Sequence, residues 1–194
     1  EDDAQDIPAE TWKNARRLKD LLKFEFFFPT TREFSDQIAD ETSYMYPGWE
    51  DRNLTPKRVL EEARKLELVL AHRVIGPFLE AYSVLADQLA ESGDKAVEQK
   101  DLVATSLSLA RQRWLQKTLH TPESISKDYF ANAFLLAKNQ GLIESDEPAL
   151  AQRREAFAEE LRHIVRRVDG LRRIAAHIGQ PVMTERADVG DENG

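Results

Sequence analysis

Leu21-Leu22-Lys23-Phe24-Glu25-Phe26-Phe27-Phe28-Pro29 crowds four of the chain's nine phenylalanines into five residues and then stops on a proline. So much aromatic surface in one stretch has to be buried or seated on an interface, and proline ends whatever helix carries it. Thr30 and Glu33 stand at capping-box spacing, so a second helix starts at once, over about 31–42 through Phe34 and Ile38. Trp12, Ala15, Leu18, Leu22 and Phe26 recur at helical spacing and predict a helix over 9–28. Leu22, Phe24, Phe26 and Phe28 also alternate as a strand would, but the longer helical pattern decides. Two readings of the block stand. One is a core element, which is carried forward. The other is a membrane-surface or acyl-chain contact beside Lys23 and Arg32. Glu25 must snorkel or find a partner in either.

The rest of the chain repeats the helical period. Tyr44–Asn53 reads as a loop, with Pro47-Gly48 as its turn. Thr55 suits an N-cap and Pro56 a first helical position. From there Val59, Ala63, Leu66, Leu70, Val74, Phe78, Tyr82, Leu85 and Leu89 keep one apolar stripe, interrupted by Gly76-Pro77, where a kink or break is expected. A helix over about 97–118 follows, with Trp114 expected in its core stripe. The next carries Ile125, Tyr129, Ala133 and Leu136 and ends at a Gly141 C-cap. The last begins at Pro148, and its seam of Phe157, Leu161, Ile164, Val168, Leu171, Ala175 and Ile178 suits packing against another helix or a partner. The organisation expected is an acidic linker over 1–9, a helical domain over 10–178 and a disordered tail over 179–194.

Composition removes several functions. There is no cysteine, so no disulfide, thiolate zinc site or cysteine nucleophile. The net charge of −8 argues against sequence-independent binding to nucleic acid. No apolar run approaches the roughly 20 residues that span a bilayer. No phosphate-cradling glycine loop or nucleophile elbow is present. His72, His120, His163 and His177 are widely separated, so no metal site and no cofactor are expected. A start at Glu1 instead of methionine suggests a piece of a larger parent.

Three stretches, in this order, carry a resemblance: Leu-Leu-Lys-Phe-Glu-Phe-Phe-Phe at 21–28, the helix Arg58–Leu89 around Glu61-Glu62-Ala63, and Tyr129-Phe130-Ala131-Asn132-Ala133-Phe134-Leu135-Leu136 leading into Asn139-Gln140-Gly141-Leu142-Ile143. Together they resemble the C-terminal region of bacterial membrane-bound glycerol-3-phosphate 1-O-acyltransferases, from about Lys13 to Ile178. The resemblance implies an upstream acyltransferase domain in the same protein. It implies acyl-CoA or acyl carrier protein as donor to glycerol 3-phosphate, and a peripheral or monotopic place on the cytoplasmic face of the cell membrane. The family's histidine is followed by four residues and an aspartate. Here Pro77, Ile125, Val168 and Val182 stand where that aspartate would. No residue of this chain therefore takes a catalytic role by resemblance.

The fold expected is all-α: a multi-helix bundle around a long kinked central helix, with a minor winged-helix-like element as an optional addition. Arg153, Arg154, Arg162, Arg166, Arg167, Arg172 and Arg173 crowd the last helix. A solvated face with salt bridges at three- and four-residue spacing is one reading. The other is contact with anionic lipid or phosphate through Arg162, Arg166 and Arg173, which share one side. A non-enzymatic helical adaptor, or a winged-helix-like interaction module, is the alternative to the acyltransferase reading.

Overall fold

The computed structural model describes residues 6–50, 54–65, 70–144 and 148–178. Among them are seven α-helices and no strand. They are α1 (Ile7–Leu21), α2 (Thr31–Met45), α3 (Pro56–Lys65), α4 (Ala71–Glu91), α5 (Gln99–Leu115), α6 (Lys127–Asn139) and α7 (Leu150–Ile178), with a 3₁₀ turn at Pro122–Ser124. The all-α expectation holds. No winged-helix-like element is found among the described residues, and the expected tail over 179–194 lies outside them.

Local signals set the helix ends. The Asp6 carboxylate accepts from the Ala9 amide at 2.9 Å and opens α1. Thr30 and Glu33 form the expected capping box of α2. The Ser126 hydroxyl accepts from the Tyr129 amide at the start of α6. At its end, Gly141 takes φ +65°, a conformation that suits glycine. The Gly141 amide then donates to Lys138 and the Leu142 amide to Ala137, closing a Schellman motif that leaves Leu142 buried.

α4 is the central helix. Leu79, Ala81, Tyr82, Val84, Leu85, Ala86 and Leu89 are all buried, so α4 is covered on every side over this stretch. α7 is its most extensive partner, and α5 and α6 complete the bundle. The seam of α7 thus packs within the chain, with Phe157, Leu161 and Val168 buried and Ile164 against the core. The apolar stripe read as one long helix belongs to two, α3 and α4. Pro77 does not divide them, for it lies inside α4. α4 therefore runs through Pro77 without a break. Trp114 is also not core: the buried positions of α5 stop at Ala110, and Trp114 is exposed in the last turn.

The aromatic block departs most from expectation. α1 ends at Leu21, and the Glu25 and Phe26 amides both turn back onto the Leu22 carbonyl. Beyond this turn the side chains alternate. Phe26 meets Phe78 of α4 at 5.2 Å between ring centroids, Phe28 meets Phe34 of α2 at 5.8 Å, and Phe27 between them is fully exposed. Continued helix would forgo this double anchoring, and proline disfavours helical backbone in the residue before it. Glu25 finds its partners in the Tyr82 hydroxyl at 2.8 Å and the Asn132 amide at 3.1 Å.

Phe26 and Phe27 therefore separate energetically. Phe26→Ala is expected to cost about 2–4 kcal/mol in urea unfolding, and Phe27→Ala less than about 0.5 kcal/mol. Equal losses would show that both rings are core.

Candidate functional site

Glu80 sits midway along α4 and is buried. The connection between α5 and α6 folds over it. Its Oε1 accepts from the His120 amide at 3.0 Å and lies 3.0 Å from His120 Nδ1. Its Oε2 accepts from the hydroxyls of Thr121 and Ser124, both at 2.6 Å, and from the Thr121 amide at 3.2 Å. The two hydroxyls are also 2.6 Å apart. Two hydroxyl protons serve three contacts, and the charged acceptor is the stronger claimant. From α7, Arg172 Nη2 reaches Oε1 at 3.5 Å and Arg172 Nη1 lies 3.1 Å from Asp169 Oδ1, which is 3.6 Å from His120 Nδ1.

Burial, the largest single influence on Glu80, disfavours its charged form. The bonds from Ser124, Thr121 and His120 together outweigh it and hold the carboxyl below the ordinary range. Nearby His72, also buried, is pushed toward its neutral form by burial, then by Arg172 and Arg73.

Glu80, His120 and Asp169 bring their donor atoms within 4.8 Å of one another, as a metal site would. The Arg172 guanidinium already supplies the positive charge there. The cleft beside it, lined by Gly76, Leu79, Val165 and Val168, has no room for a water-sized guest. Nor is this a nucleophile site, because both hydroxyls donate to a carboxylate and Ser124 is fully buried. The arrangement clamps a loop onto two helices. No sequence motif announces it: Glu80 pairs with residues 40 to 92 positions away.

The arginines of α7 divide. Arg162 Nε donates to Asp87 at 2.8 Å and Arg162 Nη2 to Glu155 at 2.8 Å, and Arg113 joins the same Asp87 at 2.7 Å. Arg166 and Arg173 are exposed. Arg154 is not on a solvated face at all, for it is fully buried. Its guanidinium donates to the carbonyls of Gly93, Lys95, Leu142 and Ile143, just beyond the C-terminal ends of α4 and α6. Four carbonyl acceptors replace the water it loses.

The family model for the glycerol-3-phosphate acyltransferase C-terminal region matches residues 3–146, which run from the first helix through the sixth. The chain belongs to this family. Putative acyltransferases plsB1 of Mycobacterium bovis and of two strains of Mycobacterium tuberculosis are 34% identical to it over 172 residues, 87% of this chain. The chain spans about a quarter of the length of these relatives, 27%. No solved structure matches. Glu80, His120, Thr121 and Ser124 lie within the residues that the family model matches, whereas Arg154, Asp169 and Arg172 lie beyond them.

Removing the Glu80 carboxylate would leave the backbone amides of His120 and Thr121 and the buried Ser124 hydroxyl without their acceptor. Glu80→Ala is therefore expected to cost on the order of 3 kcal/mol or more, with Glu80→Gln intermediate. Because the folded carboxyl is held below its unfolded value, its stabilisation is present above that value, about 4.3. It is lost as pH falls through the folded value. Between about pH 5 and pH 3 the parent should lose more stability than Glu80→Gln. Parallel losses in urea melts would mean that the clamp does not depend on ionised Glu80.

Proposed function

We propose that this chain is the helical C-terminal domain of a membrane-associated glycerol-3-phosphate 1-O-acyltransferase. The parent enzyme carries a fatty acyl group from acyl-CoA or acyl carrier protein to the first hydroxyl of glycerol 3-phosphate, the step that begins phospholipid synthesis. This domain packs beside the upstream acyltransferase domain and supports it. It contributes no catalytic residue. The match over residues 3–146 carries this reading. The closed Glu80 cluster is consistent with a supporting role: the Thr121 and Ser124 hydroxyls are committed to the carboxylate, and the cleft beside it leaves no space for a guest.

The full-length protein is expected to form lysophosphatidate from acyl-CoA and glycerol 3-phosphate, and this chain alone is expected to form none. Turnover by the purified chain above a boiled control would contradict the supporting role. A full-length protein inactive with every acyl donor would contradict the acyltransferase reading.

Association with the membrane would be peripheral, at the cytoplasmic face. No helix among the described residues is long and apolar enough to cross a bilayer. Arg162, Arg166 and Arg173 are the proposed contacts to anionic headgroups. Arg166 and Arg173 carry most of the weight, since they are the more exposed of the three. Such attraction is worth about 1 kcal/mol per basic residue and is screened by salt. Replacing both exposed arginines by glutamine is expected to weaken sedimentation with anionic vesicles several-fold at low salt and to leave the melting temperature unchanged. Unaltered sedimentation would return these arginines to an ordinary solvated face.

A further inference from the structure

The turn between α1 and α2 displays an aromatic ring that the fold does not use. Phe27 is fully exposed although Phe26 and Phe28 on either side pack inward. The turn is held in place. The Glu25 and Phe26 amides donate to the Leu22 carbonyl at 2.9 and 3.1 Å. The Glu25 carboxylate is bound by Tyr82 and Asn132. Lys19 Nζ donates to the Pro29 carbonyl at 3.0 Å. The exposure of Phe27 is thus imposed by its anchored neighbours.

Two more apolar side chains stand at this end. Phe24 is 38% exposed and Leu135 of α6 is 42% exposed. Asn132 donates to the Phe24 carbonyl, and Lys23 Nζ donates to the Asn139 side chain. Leu135 lies three residues after Asn132 and four before Asn139, so it shares the α6 face beneath the turn. The one acid of the turn, Glu25, is engaged inward. Lys23, held by Asp20 and Asn139, lies over the Phe24 ring, and Arg32 is exposed just beyond Pro29.

We infer that this tip, Phe27 with Phe24 and Leu135, inserts into the outer apolar layer of a lipid bilayer. The inference rests on the peripheral membrane placement proposed above and names the element that makes it. Three side chains offer at most about 500–600 Å², below the roughly 800 Å² per partner of a stable protein interface. A bilayer needs no complementary socket and accepts a convex knob. With a net charge of −8, the chain as a whole is not drawn to an anionic surface. Insertion through the tip is therefore apolar, insensitive to salt, and present on uncharged phosphatidylcholine.

The test uses the whole chain and phosphatidylcholine vesicles. Phe27→Ser is expected to lower partitioning about tenfold with the melting temperature unchanged, since the ring supports nothing. Tyr44→Ser removes another highly exposed aromatic, about 20 Å along α2 from its start, and is expected to change nothing. The chain has no cysteine, so Phe27→Cys accepts a single environment-sensitive fluorophore. Its emission is expected to shift to the blue on adding vesicles, at low and high salt alike. No partitioning at all, partitioning that survives Phe27→Ser, or partitioning that high salt abolishes overturns the proposal. A shift on adding the upstream acyltransferase domain, with none on vesicles, also overturns it, in favour of a protein socket. Absence of acyltransferase activity in the full-length protein would instead remove the functional reading and leave the vesicle result intact.

Discussion

A fully buried guanidinium holds the far end of this bundle together. Arg154 rises from the first turns of α7 into the space where α4 and α6 both end, and donates to four backbone carbonyls there. Helix C-termini leave carbonyls without intrahelical partners and carry partial negative charge, so one cation between two such ends answers both. Burial alone disfavours the charged form of Arg154, and the nearby Asp94 charge partly offsets this. Asp94 also accepts from the Ala151 amide at 2.7 Å, tying the start of α7 to the same corner. Truncation would leave four carbonyls, two of them buried, without this donor, a far larger loss than any surface ion pair on α7.

Glu80, midway along α4, is the counterpart. It lies 13 positions before Gly93, about 20 Å along the helix. There a buried anion collects amides and hydroxyls from the α5–α6 connection, where Arg154 collects carbonyls. Each charge is satisfied mainly by fixed dipoles, not by direct pairing with the other. α4 thereby becomes a spine to which both loop regions are fastened. A carboxylate held by two amides and two hydroxyls, beside a cleft with no room for a guest, is the opposite of what substrate binding needs. That is the physical reason for proposing support in place of catalysis.

The N-terminal layer is built differently. α2 has no buried residue, and α1 buries only Leu21 along its length. α1 is tied to α7 by the fork of Arg17 on Glu160 and by Leu18, Leu21 and Leu22 against the core. A row of rings, Phe34, Phe28, Phe26, Phe78 and Tyr129, then runs from α2 across the turn into α4 and α6. The row makes the turn rigid and is also what turns Phe27 outward. Stability and display come from the same residues.

Much of the architecture was legible because its signals are short-ranged. The 3.6-residue period gave the helical class. Thr30 with Glu33 and Gly141 with Leu142 marked helix ends, since a cap is decided by residues a few positions apart. The missing histidine–aspartate spacing could be checked letter by letter. The three quoted stretches sufficed to name the family. What tertiary structure alone decided was where each charge and ring faces. Arg154 looked like its neighbours on an arginine-rich helix, yet it is buried, because its partners come from two loops 11 to 61 residues away. Glu80 sat unremarked in an apolar stripe until the α5–α6 connection closed over it. Phe26 and Phe27 are the same residue type side by side. Only the presence of Phe78 on one side of the turn and open solvent on the other makes one a core ring and the other a free tip. Periodicity and capping are written in neighbouring residues, whereas burial depends on what distant segments bring into contact.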